Sequence, residues 1–311
     1  MTCPPRGRPC KESPFLKRLA VAEFLRDTGP GIGVPSLRVA FPHLPPCELT
    51  DLRHDYWQVY RHHNHVVLAE LTWNFPGRVW AIDHANPPGA IDGVYAAVLA
   101  VRDLASGTVL DWLPVPDETA ATTRDALLAL FVEFGPPLVL KSDNGSAFKA
   151  DVLTLLDDWQ VTPLPSPAWT PSYNGSCEAG IGGLKTRTFY QAARAGHPGI
   201  WTSEDTEAAR RQTNEFHYPH NHRHSAALAV WESRSPITPA ERERFLLTVQ
   251  RLRSQIHEVM NLASQESLTA ADQAAIHRRV VRQALVELGI LSITWRSISL
   301  PIKPRKCARI S

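Results

Sequence analysis

The sequence predicts an α/β protein: a mixed five-stranded sheet flanked by helices, between a helical N-terminal region and a C-terminal region of helix plus β-hairpin. Three observations predict it. Apolar runs of strand length alternate with amphipathic runs of helical period from residue 78 to about 180. Residues 14–70 keep only the helical period. From residue 239 onward, 12 Lys and Arg face 6 Asp and Glu, a surplus of +6 on a body that carries −4. The expected division is 1–73, helical with DNA binding as one use; 74–235, the sheet domain; and 236–311, basic.

In the first region Phe15, Leu16, Leu19, Phe24 and Leu25 make a short amphipathic helix, ended by the breakers Thr28-Gly29-Pro30-Gly31. A second short helix spans Pro35 to Phe41. A third follows Pro45-Pro46, with Leu49, Leu52, Tyr56, Val59 and His63 at helical spacing. Their basic residues suit DNA binding or simple packing, and no recognition helix stands out.

The middle region opens with a buried strand, Arg78 to Asp83, that ends in an acid. Val94–Val101 and Thr108–Leu113 are the next strands, joined through Ala105-Ser106-Gly107 as an antiparallel hairpin. A helix from about Glu118 to Phe134 places Leu127, Leu130, Phe131 and Phe134 on one face, and Pro136-Pro137 stops it. The strand Leu138–Lys141 runs into Ser142-Asp143-Asn144-Gly145. Ser146 caps a helix to Gln160 whose stripe is Phe148, Val152, Leu155, Leu156 and Trp159. Val161–Pro167 reads as an edge strand, because Pro163 and Pro165 cannot donate to a ladder. A last helix starts near Ser176 and carries Glu178. Three strands in meander, then helix, strand, helix, strand, helix, is the order of an RNase H-like domain.

Asp83 ends one strand and Asp143 follows another, so adjacent strands would bring the two carboxylates together. The helix from Ser146 to Gln160 moves the chain out by about 22 Å, and the extended return covers about 23 Å. The displacements nearly cancel, which lets Glu178 start close to Asp143. Converging carboxylates repel unless a cation compensates. Magnesium prefers such oxygen ligands, and a pair of ions stabilises both oxygens of a phosphoryl displacement. Asp92, Asp103 and Asp111 also sit at turns or strand ends and are taken as bystanders.

Ser142-Asp143-Asn144-Gly145-Ser146-Ala147-Phe148 resembles the SDNGxxF signature of retroviral-integrase-like DDE transposases, and Tyr173-Asn174-Gly175-Ser176-Cys177-Glu178 resembles their YNGxxE segment. Trp80-Ala81-Ile82-Asp83 is similar to their WxxD motif. With 34 residues between Asp143 and Glu178, the spacing fits the D,D-35-E label of that family. The resemblance, over about residues 75 to 235, is strongest to bacterial insertion-sequence transposases. It implies that Asp83, Asp143 and Glu178 are catalytic and hold Mg²⁺ or Mn²⁺, as two ions. Tyr173 and Asn174 would lie in the loop beside the site with Asn144. Lys185, seven residues past Glu178 on the same helix face, would contact DNA phosphate with Arg187 behind it. The implied reaction is cleavage at the 3′ end of an element, then joining of the freed 3′-OH to target DNA by a multimer on DNA. A nuclease of the same fold that cuts without joining, and a non-catalytic DNA-binding remnant, are the alternatives. His84, where relatives carry threonine or phenylalanine, and the helix-weakening Gly180, Gly182 and Gly183 depart from the pattern.

Further on, Asn221 to Leu228 resembles the YNxxRxHxAL segment of these proteins, with Tyr218 displaced, in preference to a metal site of His217, His220, His222 and His224. Thr238-Pro239-Ala240-Glu241 is a capping box that starts a helix with Leu246, Val249, Leu252 and Ile256 on one face and Arg242, Arg244, Arg251 and Arg253 around it. A helix from Thr269 to Leu288 and strands at 290–295 and 297–302 lead to a basic end.

Composition narrows the classes. The N-terminus is basic without an apolar run, unlike a secretory signal. No apolar stretch is long enough to span a membrane. The five cysteines are scattered, and Cys47 with His54, His62, His63 and His65 fits no standard zinc spacing. A cytoplasmic, nucleoid-associated protein with no small-molecule cofactor is expected.

Overall fold

The computed structural model describes residues 14–28, 31–63, 67–143, 145–148, 150–167, 175–219, 224–259 and 268–297. The chain divides into two compact units, Met1–Glu70 with Thr294–Ser311, and Leu71–Ile293. In the first unit, α1 (Phe15–Thr28), α2 (Val34–Ala40) and α3 (Pro46–His63) enclose Val21, Leu25, Leu37, Leu44 and Leu49. The buried side of α1 differs from the expected one. Phe15 and Leu16 are 74% and 76% exposed, while Val21 and Leu25 are fully buried. The edge-on contact of Phe24 with Phe41, with ring centroids 5.5 Å apart, belongs to the same side.

β1 (Val67–Trp73) and β7 (Leu291–Ser297) form a two-stranded sheet. The sequence reading takes residues up to 70 as helical and pairs the last strand with 297–302. The structure instead gives β7 a partner more than 200 residues upstream, and residues 298–311 lie outside the described ones. Leu, Ala and Glu in β1 favour helix, so long-range pairing overrides local preference here. The Asn74 amide reinforces it, donating to Gly289 O at 2.7 Å and Ser292 Oγ at 2.8 Å.

The second unit holds the expected mixed sheet. Its strands are β2 (Val79–Ala85), β3 (Ala97–Asp103), β4 (Val109–Val115), β5 (Val139–Ser142) and β6 (Thr162–Pro165), in the order β4-β3-β2-β5-β6. β2–β3 and β3–β4 are antiparallel, and β2–β5 and β5–β6 are parallel. One face carries Trp80, Ile82, Leu99 and Leu140 against α4 (Ala120–Phe134) and α5 (Asp151–Asp158), where Leu127, Phe131 and Val152 complete the core. Each such side chain contributes about 1.5–3 kcal/mol on full burial.

The other face is shared. Over β2, β3 and β4, Leu184 and Ala192 of α6 (Gly175–Arg194) pack with Ala85, Val98, Ala100 and Trp112. Beside them, Val79, Val139 and Leu164 pack with Phe245, Val249 and Leu252 of α9 (Pro239–Val259) and with α10 (Ala270–Glu287). These last two helices, expected in a separate C-terminal region, belong to the same compact unit as the sheet. Arg78 ties α9 down, with Nε and Nη2 donating to the two Glu241 carboxylate oxygens at 2.9 and 3.0 Å. Thr238 Oγ1 accepts from Glu241 N at 3.1 Å as a cap should, while the Glu241 carboxylate pairs with Arg78.

Both sheet edges are covered. On β4, Asn214 of α7 (Ser203–Phe216) takes the place of a neighbouring strand, accepting from Val109 N at 2.8 Å and donating to Val109 O at 2.9 Å. β6 is the proline-bearing edge, as expected. α8 (Ala227–Glu232) inserts Trp231 beside Trp80.

Candidate active site

The site is built by strand register. β2 and β5 run in parallel with Val79 opposite Val139, Trp80 opposite Leu140 and Ala81 opposite Lys141. Asp83 lies two residues past Ala81 on β2, and Asp143 lies two residues past Lys141, just beyond the end of β5. Neighbouring strands lie about 4.8 Å apart, so both carboxylates leave adjacent backbones at the C-terminal ends of parallel strands. Each is half-buried. Asp83 Oδ1 accepts from His84 N at 2.9 Å, and Asp143 Oδ1 accepts from Gly145 N at 2.8 Å.

The alternation of a strand puts Asp83 and His84 on opposite faces. Asp83 shares the α6 face with Ala81 and Ala85, while His84 enters the α4 side. There its ring meets Phe148 at 5.3 Å between centroids and Thr123 Oγ1 at 3.5 Å from Nε2. Burial holds this imidazole below its ordinary pKa, against the pull of Glu118, Asp143 and Asp117. Phe148 belongs to the loop that carries Asp143, so the histidine and phenylalanine pin that loop to β2. In the motif itself, His84 stands only as a departure.

Under the acids lies a row of cations. Ala81 pairs with Arg102 on one side and with Lys141 on the other, one pleat below Asp83 on the same face. Lys141 is only 5% exposed. A buried ammonium is costly without nearby negative charge. No sequence signal separated Lys141 and Arg102 from ordinary strand residues.

Glu178 falls on the first turn of α6, and its side chain is outside the described residues, as are Asn144, Tyr173 and Asn174. Gly180 locates that turn. A Cβ there would collide with Arg102 Nη1 and come within 3.2 Å of Arg102 Cζ. The start of α6 therefore lies over the β3 residue that pairs with Ala81, close to the acid row. Lys185 and Arg187 are half-buried further along the helix, and the Arg187 guanidinium lies near enough to His217 to depress its pKa, after burial and Arg102.

The link from Asp143 to Glu178 departs from the expected continuous helix. A 3-10 turn (Ser146–Phe148) precedes α5, and Ala150 between them has φ 46°. The break lets Ala147 and Phe148 both be buried. The bystander acids have structural roles. Asp103 accepts from Gly77 N, Ser106 N and Ser106 Oγ at 2.7–2.8 Å, and Asp92 accepts from Ser203 at the start of α7.

Residues 74–171 match the family model of the integrase core domain. Over these residues the fold is integrase-like. The matched span, about a third of the chain, includes Asp83 and Asp143 and ends before Glu178. Among solved structures, this chain is similar to the HTLV-2 integrase catalytic core in complex with magnesium, in its trimeric form, at 17% identity and TM-score 0.40, covering 50% of this chain and 97% of that one. The BIV integrase catalytic core gives 18%, TM-score 0.40, and 50% and 94% coverage. The simian T-cell lymphotropic virus intasome in complex with PP2A regulatory subunit B56 gamma gives 16%, TM-score 0.46, and 70% and 78% coverage. No curated protein matches the sequence. Among the described residues no helix is long and apolar enough to cross a membrane, and no group of three His, Cys, Asp or Glu is placed to hold a metal ion.

Proposed function

We propose that this chain is a DNA transposase or integrase, a DDE polynucleotidyl transferase that cleaves the 3′ ends of a mobile element and joins them to target DNA. The observation that supports the reading is the parallel β2–β5 pairing, which brings side by side the strand that carries Asp83 and the strand that leads to Asp143, with α6, the helix of Glu178, packed at Gly180 on the neighbouring Arg102. Carboxylates on adjacent strands are hard oxygen donors of the kind that suits Mg²⁺ or Mn²⁺. Asp83, Asp143 and Glu178 would hold the metal, as two ions. Bound there, it supplies charge stabilisation to both oxygens of a phosphoryl displacement.

The protein's own groups then do the positioning. β2 and β5 fix two carboxylates through backbone pairing, the least flexible support a fold offers. His84 and Phe148 hold the Asp143 loop to β2. Lys141 and Arg102 limit the mutual repulsion of the acids from beneath. Lys185 contacts DNA phosphate from α6, with Arg187, Asn144, Tyr173 and Asn174 completing the DNA surface. Paired element ends call for a homo-multimer assembled on DNA.

The test is a cleavage and joining assay on duplexes that carry the element's own terminal sequence, in Mg²⁺. The wild type should give 3′-end cleavage and joined product, with Asp143→Asn and Glu178→Gln each reduced about a hundredfold or more. Cleavage with no joining would replace the reading with a nuclease of the same fold. DNA binding with neither reaction would remove the enzyme assignment.

A further inference from the structure

Next to Asp143 the second unit encloses a cleft of about 460 Å³. Asp143, Gly145 and Phe148 line it, together with Arg253 and His257 of α9. Its walls are apolar, with Leu156 of α5, Pro163 and Pro165 of β6 and Ile276 of α10. The volume falls within the range of roughly 300–1,000 Å³ typical of small-ligand sites, too small for a duplex. None of the helix α9 and α10 walls falls within the matched integrase core span.

Arg253 is held in place by a chain of hydrogen bonds. Pro163 O can only accept, so His277 Nε2, at 2.7 Å from it, carries the proton. His277 Nδ1 is then the acceptor for Arg253 Nη2 at 2.9 Å. The proline edge of β6, which offers no N–H at 163, thereby gives its carbonyl to orienting a guanidinium at the cleft. A fixed guanidinium, a carboxylate proposed to bind metal and largely apolar walls in one cleft suit a phosphate attached to an aromatic base.

We propose that this cleft seats a single unpaired nucleotide of the DNA strand that reaches Asp143, its base against the apolar walls and its phosphate at Arg253. The inference rests on the reading of Asp143 as part of the DNA-cleaving site. It makes α9 and α10 a selector for DNA whose strands are parted next to the scissile phosphate. Arg253 contacts the strand, and His277 positions Arg253.

The probe is a duplex with a short unpaired 3′ tail that carries 2-aminopurine, compared with the blunt duplex, with full-length protein in Ca²⁺. The tailed DNA should bind about tenfold tighter than the blunt one, the worth of burying one apolar side chain's equivalent of surface, and its fluorescence should rise as the base leaves its stacked neighbours. Ala274→Leu, which fills the cleft from α10, and Arg253→Gln should each remove the preference and the rise. His277→Phe should weaken both, and Arg253→Lys should not keep them, because a lysine lacks the fixed fork geometry of arginine. Ala274→Val serves the same purpose if the leucine variant fails to fold. Equal binding of tailed and blunt DNA by the wild type would overturn the proposal, as would filled-cleft and Arg253→Gln variants that keep the preference and the fluorescence rise. Binding is read without catalysis, so a protein that cleaves but shows no preference loses only this inference, and one that shows the preference but never cleaves loses only the catalytic reading.

Discussion

Alanine at Gly180 and at Gly182, introduced separately, should change stability in opposite directions. Both glycines lie inside α6, and either replacement gains about 1 kcal/mol of helix propensity. Around Gly182 nothing lies within 4 Å of an added Cβ, so that variant should keep the whole gain. At Gly180 the new methyl would overlap Arg102 Nη1 and lie 3.2 Å from Cζ and 3.6 Å from Cδ, so the guanidinium must move as a body. Arg102 Nε is buried. Disturbing a buried polar group costs about 1–3 kcal/mol, which outweighs the propensity gain. The expected result is Gly182→Ala stabilised by about 1 kcal/mol and Gly180→Ala destabilised by about 1 kcal/mol. Equilibrium urea unfolding reads both from the midpoint at constant slope; with a slope near 3 kcal/mol/M, the two midpoints should separate by about 0.7 M. Equal upward shifts would refute the reasoning and make Gly180 an ordinary weak point in the helix.

Removing Arg78 breaks a half-buried bidentate pair and two backbone contacts, to Pro76 O at 3.0 Å and Ser235 O at 2.6 Å. Arg78→Met should therefore cost about 3–5 kcal/mol, read as a fall of about 10 °C in Tm for a unit of this size; a change below 2 °C would disprove the role given to the pair. Asp111 gives a pH prediction. Burial raises its pKa to about 6, against the opposing pull of Arg210. The folded state thus holds a proton that the unfolded chain releases near 4, so this group's contribution is full below about pH 4 and is lost as pH rises to 6, by up to about 3 kcal/mol. Asp111→Asn should flatten stability between pH 4 and 6.5, and an unchanged slope would count against it.

Much of the mixed sheet was legible because its determinants are local. The strand runs, the hairpin turn at 105–107 and the proline edge at 163–165 each signal their own geometry, and the structure places them as β3–β4 and β6. Asp143 lies in an extended motif and Asp83 in a shorter one, and the strands that carry or lead to them, β2 and β5, pair in parallel. What the sequence withheld depends on distant partners. β1 is a strand because β7 meets it, and the exposed Phe15 and Leu16 follow from which side of α1 faces the other helices. The Arg253–His277–Pro163 chain joins residues up to 114 apart, and no local pattern encodes it. Gly180 sits in the same position: it reads as a helix weakness until Arg102 is placed against it.

The central claim is that Asp83 and Asp143 form one metal site with Glu178. Titration of Mn²⁺ into the protein, followed by water-proton relaxation, tests it most directly through Asp83, the acid with the shortest motif. The wild type should bind, and both Asp83→Asn and Asp143→Asn should lose at least about tenfold in affinity, with folding unchanged by circular dichroism. Wild-type affinity in Asp83→Asn would contradict it.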